Sequence, residues 1–97
     1  MKEYMKRRLS ERNMLVEYVS KAKAVEVMQN QIAKLEKNID ALDEDIEELE
    51  DSGLNRTVET LCKARNSLNL ERLELEIHIC KLRLWIAEFE KAQQLAR

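Results

Sequence analysis

The sequence predicts an all-α protein in which two long helices pack side by side as an antiparallel coiled-coil hairpin. Three observations lead to this fold class. The 97 residues include no proline and a single glycine, Gly53, so the chain has about one place to reverse direction. Charged residues make up 37% of the chain and aromatic residues 4%, a composition typical of long helices. On each side of Gly53, apolar residues recur at alternating intervals of three and four, as in a coiled coil.

We treat residues 1–97 as a single helical-hairpin unit. A basic segment at residues 1–13 is open to fraying. The first helix is predicted at about residues 14–51, the turn at residues 52–55 and the second helix at about residues 56–96. Because so small a chain buries little area, we also expect the hairpin to dimerise into a four-helix bundle.

An apolar seam, here the first seam, defines the first helix. Its clearest part comprises Ile32, Leu35, Ile39, Leu42, Ile46 and Leu49. Isoleucine occupies heptad position a and leucine position d. Toward the N-terminus the seam includes Met28 and Val25, and it then blurs because Lys21 and Tyr18 occupy the next positions.

The segment EDSGLN is predicted to end the first helix. Gly53 can adopt the left-handed conformation of a Schellman motif, which would bring Leu54 against Leu49. Asn55 suits the N-cap of the second helix, since its side chain can accept a bond from a free backbone N–H. So short a link favours antiparallel neighbours.

The second helix carries a second seam at matching positions: Val58, Leu61, Arg65, Leu68, Arg72, Leu75, Ile79, Leu82, Ile86 and Phe89. If the chain folds at Gly53, the two seams meet in one register, in which paired residue numbers total 107. Isoleucine at a with leucine at d is instead typical of parallel dimers. The matching register and the helix-ending Gly53 outweigh the preference for a parallel dimer, so we predict the antiparallel hairpin. The two arginines are expected to reach acids such as Glu36 or Asp43.

The stretch LELEIHICKLRLWI, residues 73–86, alternates apolar and polar residues, a pattern that also suits a β-strand. The chain offers no other strands or turns for a sheet. On a helix the same alternation produces apolar stripes on opposite sides. One is the second seam, and the other, here the outer stripe, comprises Leu70, Leu73, Ile77, Cys80, Leu84 and Ala87.

The outer stripe predicts a partner, because the first helix cannot reach the far side of the second. The cover is either another chain or the N-terminal segment. Run antiparallel against a copy of itself, the stripe is self-complementary, with Leu73 against Leu84 and Ile77 against Cys80. A two-fold dimer requires such a patch. We therefore expect an antiparallel homodimer with the second helices at its centre.

The sequence carries no recognisable catalytic, metal-binding or cofactor-binding pattern, and we expect none of these functions. His78 and Cys80 are two positions apart and diverge on a helix, whereas zinc requires about four converging ligands. Cys62 and Cys80 lie about 27 Å apart on one helix and cannot bridge each other. With one glycine, the chain has no phosphate-binding loop or nucleophile elbow.

Two charged segments suggest alternative functions. Eight acids and no base lie between residues 40 and 51: Asp40, Asp43, Glu44, Asp45, Glu47, Glu48, Glu50 and Asp51. The simplest interpretation is that these acids cover the solvent-exposed faces of the helix. The sharper hypothesis is an inhibitor, of a phage anti-defence or nucleic-acid-mimic type, that blocks a basic groove. The basic N-terminus, with Lys6, Arg7, Arg8 and Arg12, instead suits a nucleic-acid accessory factor, a lesser candidate.

A hairpin of about a hundred residues with glycine in its central turn resembles the WXG100 family of secreted helical hairpins. The resemblance covers the hairpin plan. The turn DSGLN lacks the family's tryptophan before the glycine, and WIAE has tryptophan where the family's secretion signal has tyrosine.

Taken together, the sequence predicts a non-enzymatic protein–protein interaction module. We expect a homodimeric hairpin that acts as an adaptor, regulator or assembly subunit with an unidentified protein partner. No window approaches the length of a membrane span, and no secretory signal is evident, so we expect a cytoplasmic protein.

Overall fold

The computed structural model describes the backbone of residues 2–95 and the side chains of residues 11–95. It contains two helices, α1 (Lys2–Ser52) and α2 (Asn55–Leu95), folded into a hairpin of 76 × 22 × 14 Å. The predicted all-α helical hairpin is confirmed.

The helix α1 begins well before the expected start near residue 14 and continues through the basic segment. Residues 2–13 contain no proline or glycine, so the backbone has no local reason to leave the helix. Because α1 has 51 residues and α2 has 41, the N-terminal end of α1 extends beyond the end of α2.

The turn is built around Gly53, whose φ of 77° lies in the left-handed region. Its N–H donates to the carbonyl of Glu50 at 3.5 Å, which is one of the two bonds of a Schellman motif. The carbonyl of Leu49, the acceptor expected for the other bond, instead accepts from Ser52 Oγ at 2.8 Å. The helix therefore stops at the predicted glycine, with a serine side chain completing the cap.

The start of α2 differs from the prediction by one residue. The N–H of Val58 donates to the carbonyl of Leu54 at 3.0 Å, which places Leu54 at the N-cap and Asn55 at the first helical position. The N–H of Asn55 donates to the carbonyl of Gly53 at 3.0 Å. Because this tight turn already satisfies the Asn55 N–H, the helix can begin one residue earlier than an asparagine cap requires.

The two seams form the core. Every predicted seam residue is buried or half-buried, and the most enclosed are Val25, Ile39, Ile46, Ile79 and Phe89. A pair of helices has no interior layer, so burial is confined to this one line of contact. Cross-helix contacts confirm the register: Tyr18 stacks on Phe89, a pair that totals 107, and Asp43 pairs with Arg65, one residue away from it.

Candidate protein-interaction surfaces

The outer stripe of α2 is exposed along its length. Leu70 is 62% exposed, Leu73 46%, Ile77 57% and Leu84 64%, and Cys80 and Ala87 are exposed as well. A run of large aliphatic side chains open to water on one face is typical of a docking site.

Nothing in the described chain covers the outer stripe. The second seam of α2 faces α1, and the stripe lies on roughly the opposite side of the same helix. Of the two covers expected from the sequence, the N-terminal segment is excluded, since residues 2–13 continue the axis of α1. The remaining candidate is another chain.

Charged residues flank the outer stripe in a regular order. Glu74 and Lys81 lie one heptad apart along one edge, and Glu76 and Arg83 lie one heptad apart along the other. All four side chains are exposed. The Glu76 carboxylate is 3.9 Å from Arg72 Nε, at the outer limit of an ion pair.

An open groove runs along one edge of the outer stripe, toward α1. Its lining includes Ile77, His78, Lys81 and Trp85 from α2, and Lys21 from α1. His78 is exposed, and no cluster of three or more potential metal ligands occurs among the described residues. The groove therefore borders the outer stripe, which it meets at Ile77.

The eight acids of residues 40–51, here the acidic tip, are all exposed at the turn end of the hairpin. Within the described side chains, Asp43 is the one that joins an ion pair, with Arg65 Nη1 at 3.1 Å. The α2 side of this end adds Glu59, Arg56, Lys63 and Arg65, so residues 40–67 carry nine acids and three bases. From totals of 19 and 17, ten acids and 14 bases remain for the other end. The hairpin is thus acidic at its turn and basic at its open end.

The predicted basic contact is only partly described. Arg12 is exposed on α1. The side chains of Lys6, Arg7 and Arg8 lie outside the described residues, although the backbone there is helical.

The open end of the hairpin contains an aromatic cluster that the sequence pattern did not predict. Tyr18 stacks on Phe89 with ring centroids 4.8 Å apart, and Trp85 stacks on Phe89 at 5.5 Å. Lys21 Nζ lies 5.2 Å from the Trp85 ring, as in a cation–π contact. Tyr18 and Lys21 look like a break in the apolar pattern, but they keep its spacing. The seam therefore continues through them.

Tyr18 also donates a hydrogen bond from its hydroxyl to Glu90 Oε1 at 2.8 Å. This bond to the carboxylate, and then the negative charge of Glu90, raise the pKa of Tyr18 above its usual value of 10.0, with a smaller effect of desolvation. The protonated phenol thus ties α1 to α2 near the open end.

The two seam arginines behave differently. Arg65 reaches Asp43 on the other helix, as predicted. Arg72 turns to Glu76 on its own helix instead of to Glu36, so that prediction is wrong. A carboxylate one turn away on the same helix face is already within reach and needs no span across the seam.

The cysteines and the hydropathy of the helices are two further features of the described residues. Cys62 is half-buried and Cys80 exposed, and both are free thiols. Across residues 2–95, neither helix has a stretch long and apolar enough to cross a membrane. Comparison with protein-family models, with curated proteins and with solved structures found no match to this chain.

Proposed function

We propose that this chain is a non-enzymatic protein-interaction module whose docking face is the outer stripe of α2. In this proposal the hairpin homodimerises through the stripe and serves as an adaptor, regulator or assembly subunit. The exposure of four large aliphatic side chains on one helix face, between 46% and 64%, is the observation that carries it. Apolar surface exposed to water in this way raises the free energy of the protein until a partner covers it.

The dimensions of the stripe suit a helix as its cover. From Leu70 to Ala87 it extends about 26 Å, at about 1.5 Å per residue. Its 3-4 spacing suits knobs-into-holes packing, in which side chains of each helix insert into holes between side chains of the other. A two-helix rod without an interior layer also has much to gain from association, since its own core is one line of contact.

The test is the solution mass measured by light scattering on a sizing column, over a range of micromolar concentrations. We expect twice the chain mass of 11.5 kDa for the wild type and a single chain mass for Ile77→Asp. Val27→Asp is the matched control, because Val27 is 44% exposed on α1, away from the stripe. A dimer that survives Ile77→Asp contradicts this use of the stripe.

The acidic tip supports a second candidate function, an inhibitor that occupies a basic groove. Its support is that eight exposed carboxylates share one end of the rod. The test is competition with DNA for a basic DNA-binding protein used as a probe. Glu44→Gln, Asp45→Asn, Glu47→Gln and Glu48→Gln combined should abolish competition. Asp43 is left unchanged because it pairs with Arg65. Equal competition by this variant would reject the inhibitor.

The nucleic-acid hypothesis is separable in a filter-binding assay with mixed DNA and RNA. An accessory factor would retain nucleic acid, with steep salt dependence, and lose it when Lys6, Arg7 and Arg8 are replaced by alanine. The interaction module and the inhibitor both predict no retention by the wild type.

A further inference from the structure

We infer that the outer stripe is covered by a second copy of this chain running antiparallel, that charged residues along both edges of the stripe pair in this register, and that the opposite charge of the two ends of the hairpin sets the orientation. The inference rests on the proposed function and adds the orientation in which the two copies of this surface pair. It is carried by two features: the order of charges beside the stripe, and the opposite charge of the two ends of the hairpin.

The apolar positions fix the register. In an antiparallel pair of α2 helices, contacting residue numbers total 157, so that Leu73 meets the partner's Leu84 and Ile77 meets the partner's Cys80. Leu70 then meets the partner's Ala87. The two-fold axis passes the helix midway between residues 78 and 79. Because each contact occurs twice, the interface is isologous, as a closed dimer requires.

The edges of the stripe complement each other in this register. In an antiparallel coiled coil, residues along one edge meet residues along the same edge of the partner, displaced by about two positions from the core register. Glu74 then faces the partner's Lys81, and Glu76 faces the partner's Arg83. Two-fold symmetry doubles these to four pairs of opposite charge.

The next edge positions outward place no like charges together. Ser67 faces the partner's Glu88, and Asn69 faces the partner's Glu90. All four charged residues of the pairs are exposed in the single hairpin. The 3.9 Å contact of Glu76 with Arg72 is long enough to yield to a closer partner.

A parallel arrangement also forms four pairs of opposite charge, since Glu76 would then face the partner's Lys81, and Arg83 would face the partner's Glu88. The charges of the whole hairpin decide between the two. A parallel dimer sets two turn ends side by side, each with nine acids and three bases. In the antiparallel dimer, residues 40–51 lie at about the level of residues 6–17 of the partner, within its basic end. Complementary fields of this kind favour one orientation over the other.

The antiparallel orientation has a geometric consequence. Each turn lies about 37 Å from the two-fold axis, so the two turns stand about 75 Å apart, with the acidic tips near opposite ends of a rod. A parallel dimer would instead place both tips together.

Cysteine cross-linking tests the orientation directly. In a Cys62→Ala, Cys80→Ala background, two further variants carry Leu73→Cys and Leu84→Cys respectively. Positions 73 and 84 are opposite each other only in the antiparallel register. We expect a disulfide-linked dimer when the two variants are oxidised together, and none when either is oxidised alone, because like cysteines would lie about 16 Å apart along the axis.

Cross-links in the separate samples would overturn the inference in favour of a parallel dimer and leave the proposed function intact. A wild-type dimer with no cross-link in any sample would place dimerisation on another face and overturn both. A wild-type monomer would overturn the inference together with the homodimer of the proposed function.

Charge reversal provides a second measurement that does not depend on oxidation. The double variants Glu74→Lys with Glu76→Lys, and Lys81→Glu with Arg83→Glu, should each dimerise at least about tenfold more weakly than the wild type. Mixed together they should form a heterodimer of near wild-type affinity, since every pair is again opposite in charge. Failure of the mixture to recover affinity would contradict the proposed pairs.

Discussion

At the scale of single residues, the fold depends most on Gly53. Its φ of 77° is accessible to glycine and strained for most L-residues. A Cβ built at this position would meet no atom within 4 Å, so the requirement for glycine is one of backbone conformation and not of space.

We predict that Gly53→Ala lowers the free energy of unfolding by about 1 kcal/mol, the cost of holding a Cβ in the left-handed region. Gly53→Asn is the matched control. Asparagine tolerates that region, so its loss should be clearly smaller. Urea unfolding followed by circular dichroism measures both. Equal stability of wild type and Gly53→Ala would show that the turn does not need a positive φ.

The Tyr18 hydroxyl makes stability depend on pH at the alkaline end. Its pKa is raised in the folded state by the hydrogen bond to Glu90. The bond therefore stabilises the fold fully below the unfolded pKa of about 10, and this contribution is lost as pH rises through the folded value.

We predict that the wild type loses more thermal stability than Tyr18→Phe between about pH 9 and about pH 11.5. Phenylalanine keeps the stacking on Phe89 but has no proton to lose. Melting temperatures of both proteins across this range provide the measurement, and their difference removes the effect of lysine titration. Parallel curves would mean that the Tyr18–Glu90 bond contributes nothing.

At the scale of elements, the helices hold together through one seam and expose a second apolar face. Ile46, on α1, is 4% exposed, whereas Val27, on the same helix, is 44% exposed. Both residues are aliphatic and differ in burial, so comparing their substitutions measures how much burial in the seam contributes to stability.

We predict that Ile46→Ala lowers the free energy of unfolding by about 2–4 kcal/mol, from lost burial and the cavity that remains. Val27→Ala should change it by less than about 0.5 kcal/mol, because nearly half of its surface is already exposed to water. Urea titrations at one fixed protein concentration compare them. Similar losses for both variants would argue against the observed helix faces.

At the scale of the whole molecule, the separation of charge along the rod should appear in the salt dependence of dimerisation. Exposed ion pairs are screened over about 10 Å at moderate ionic strength, whereas apolar contacts are not weakened by salt.

We predict that the dimer dissociation constant rises several-fold between about 0.05 M and about 0.5 M sodium chloride. Glu74→Gln with Glu76→Gln should dimerise more weakly at low salt and lose part of that dependence, and the charges at the two ends of the hairpin account for the part that remains. Analytical ultracentrifugation measures both. A dissociation constant that falls with added salt would indicate an interface held by the apolar stripe alone.

The hairpin, its register and the position of its turn can be predicted from the sequence alone. These depend on local properties: the 3-4 spacing that places residues on one helix face, and the freedom of Gly53 to adopt a positive φ. The pairing of Arg65 with Asp43 follows from the register. The outer stripe could also be predicted from the sequence, because its residues have the same 3-4 spacing as the two seams.

The folded structure was needed to show which side chains meet where the apolar pattern fails. The structure carries the seam through Lys21 and Tyr18 and turns Arg72 toward its own helix, while the local backbone bonds of the turn place the cap of α2 at Leu54. It also left the outer stripe without a cover within the described chain. These outcomes depend on competition between partners in space: a long polar side chain takes whichever ring or carboxylate lies within reach, and spacing along the chain does not rank those choices.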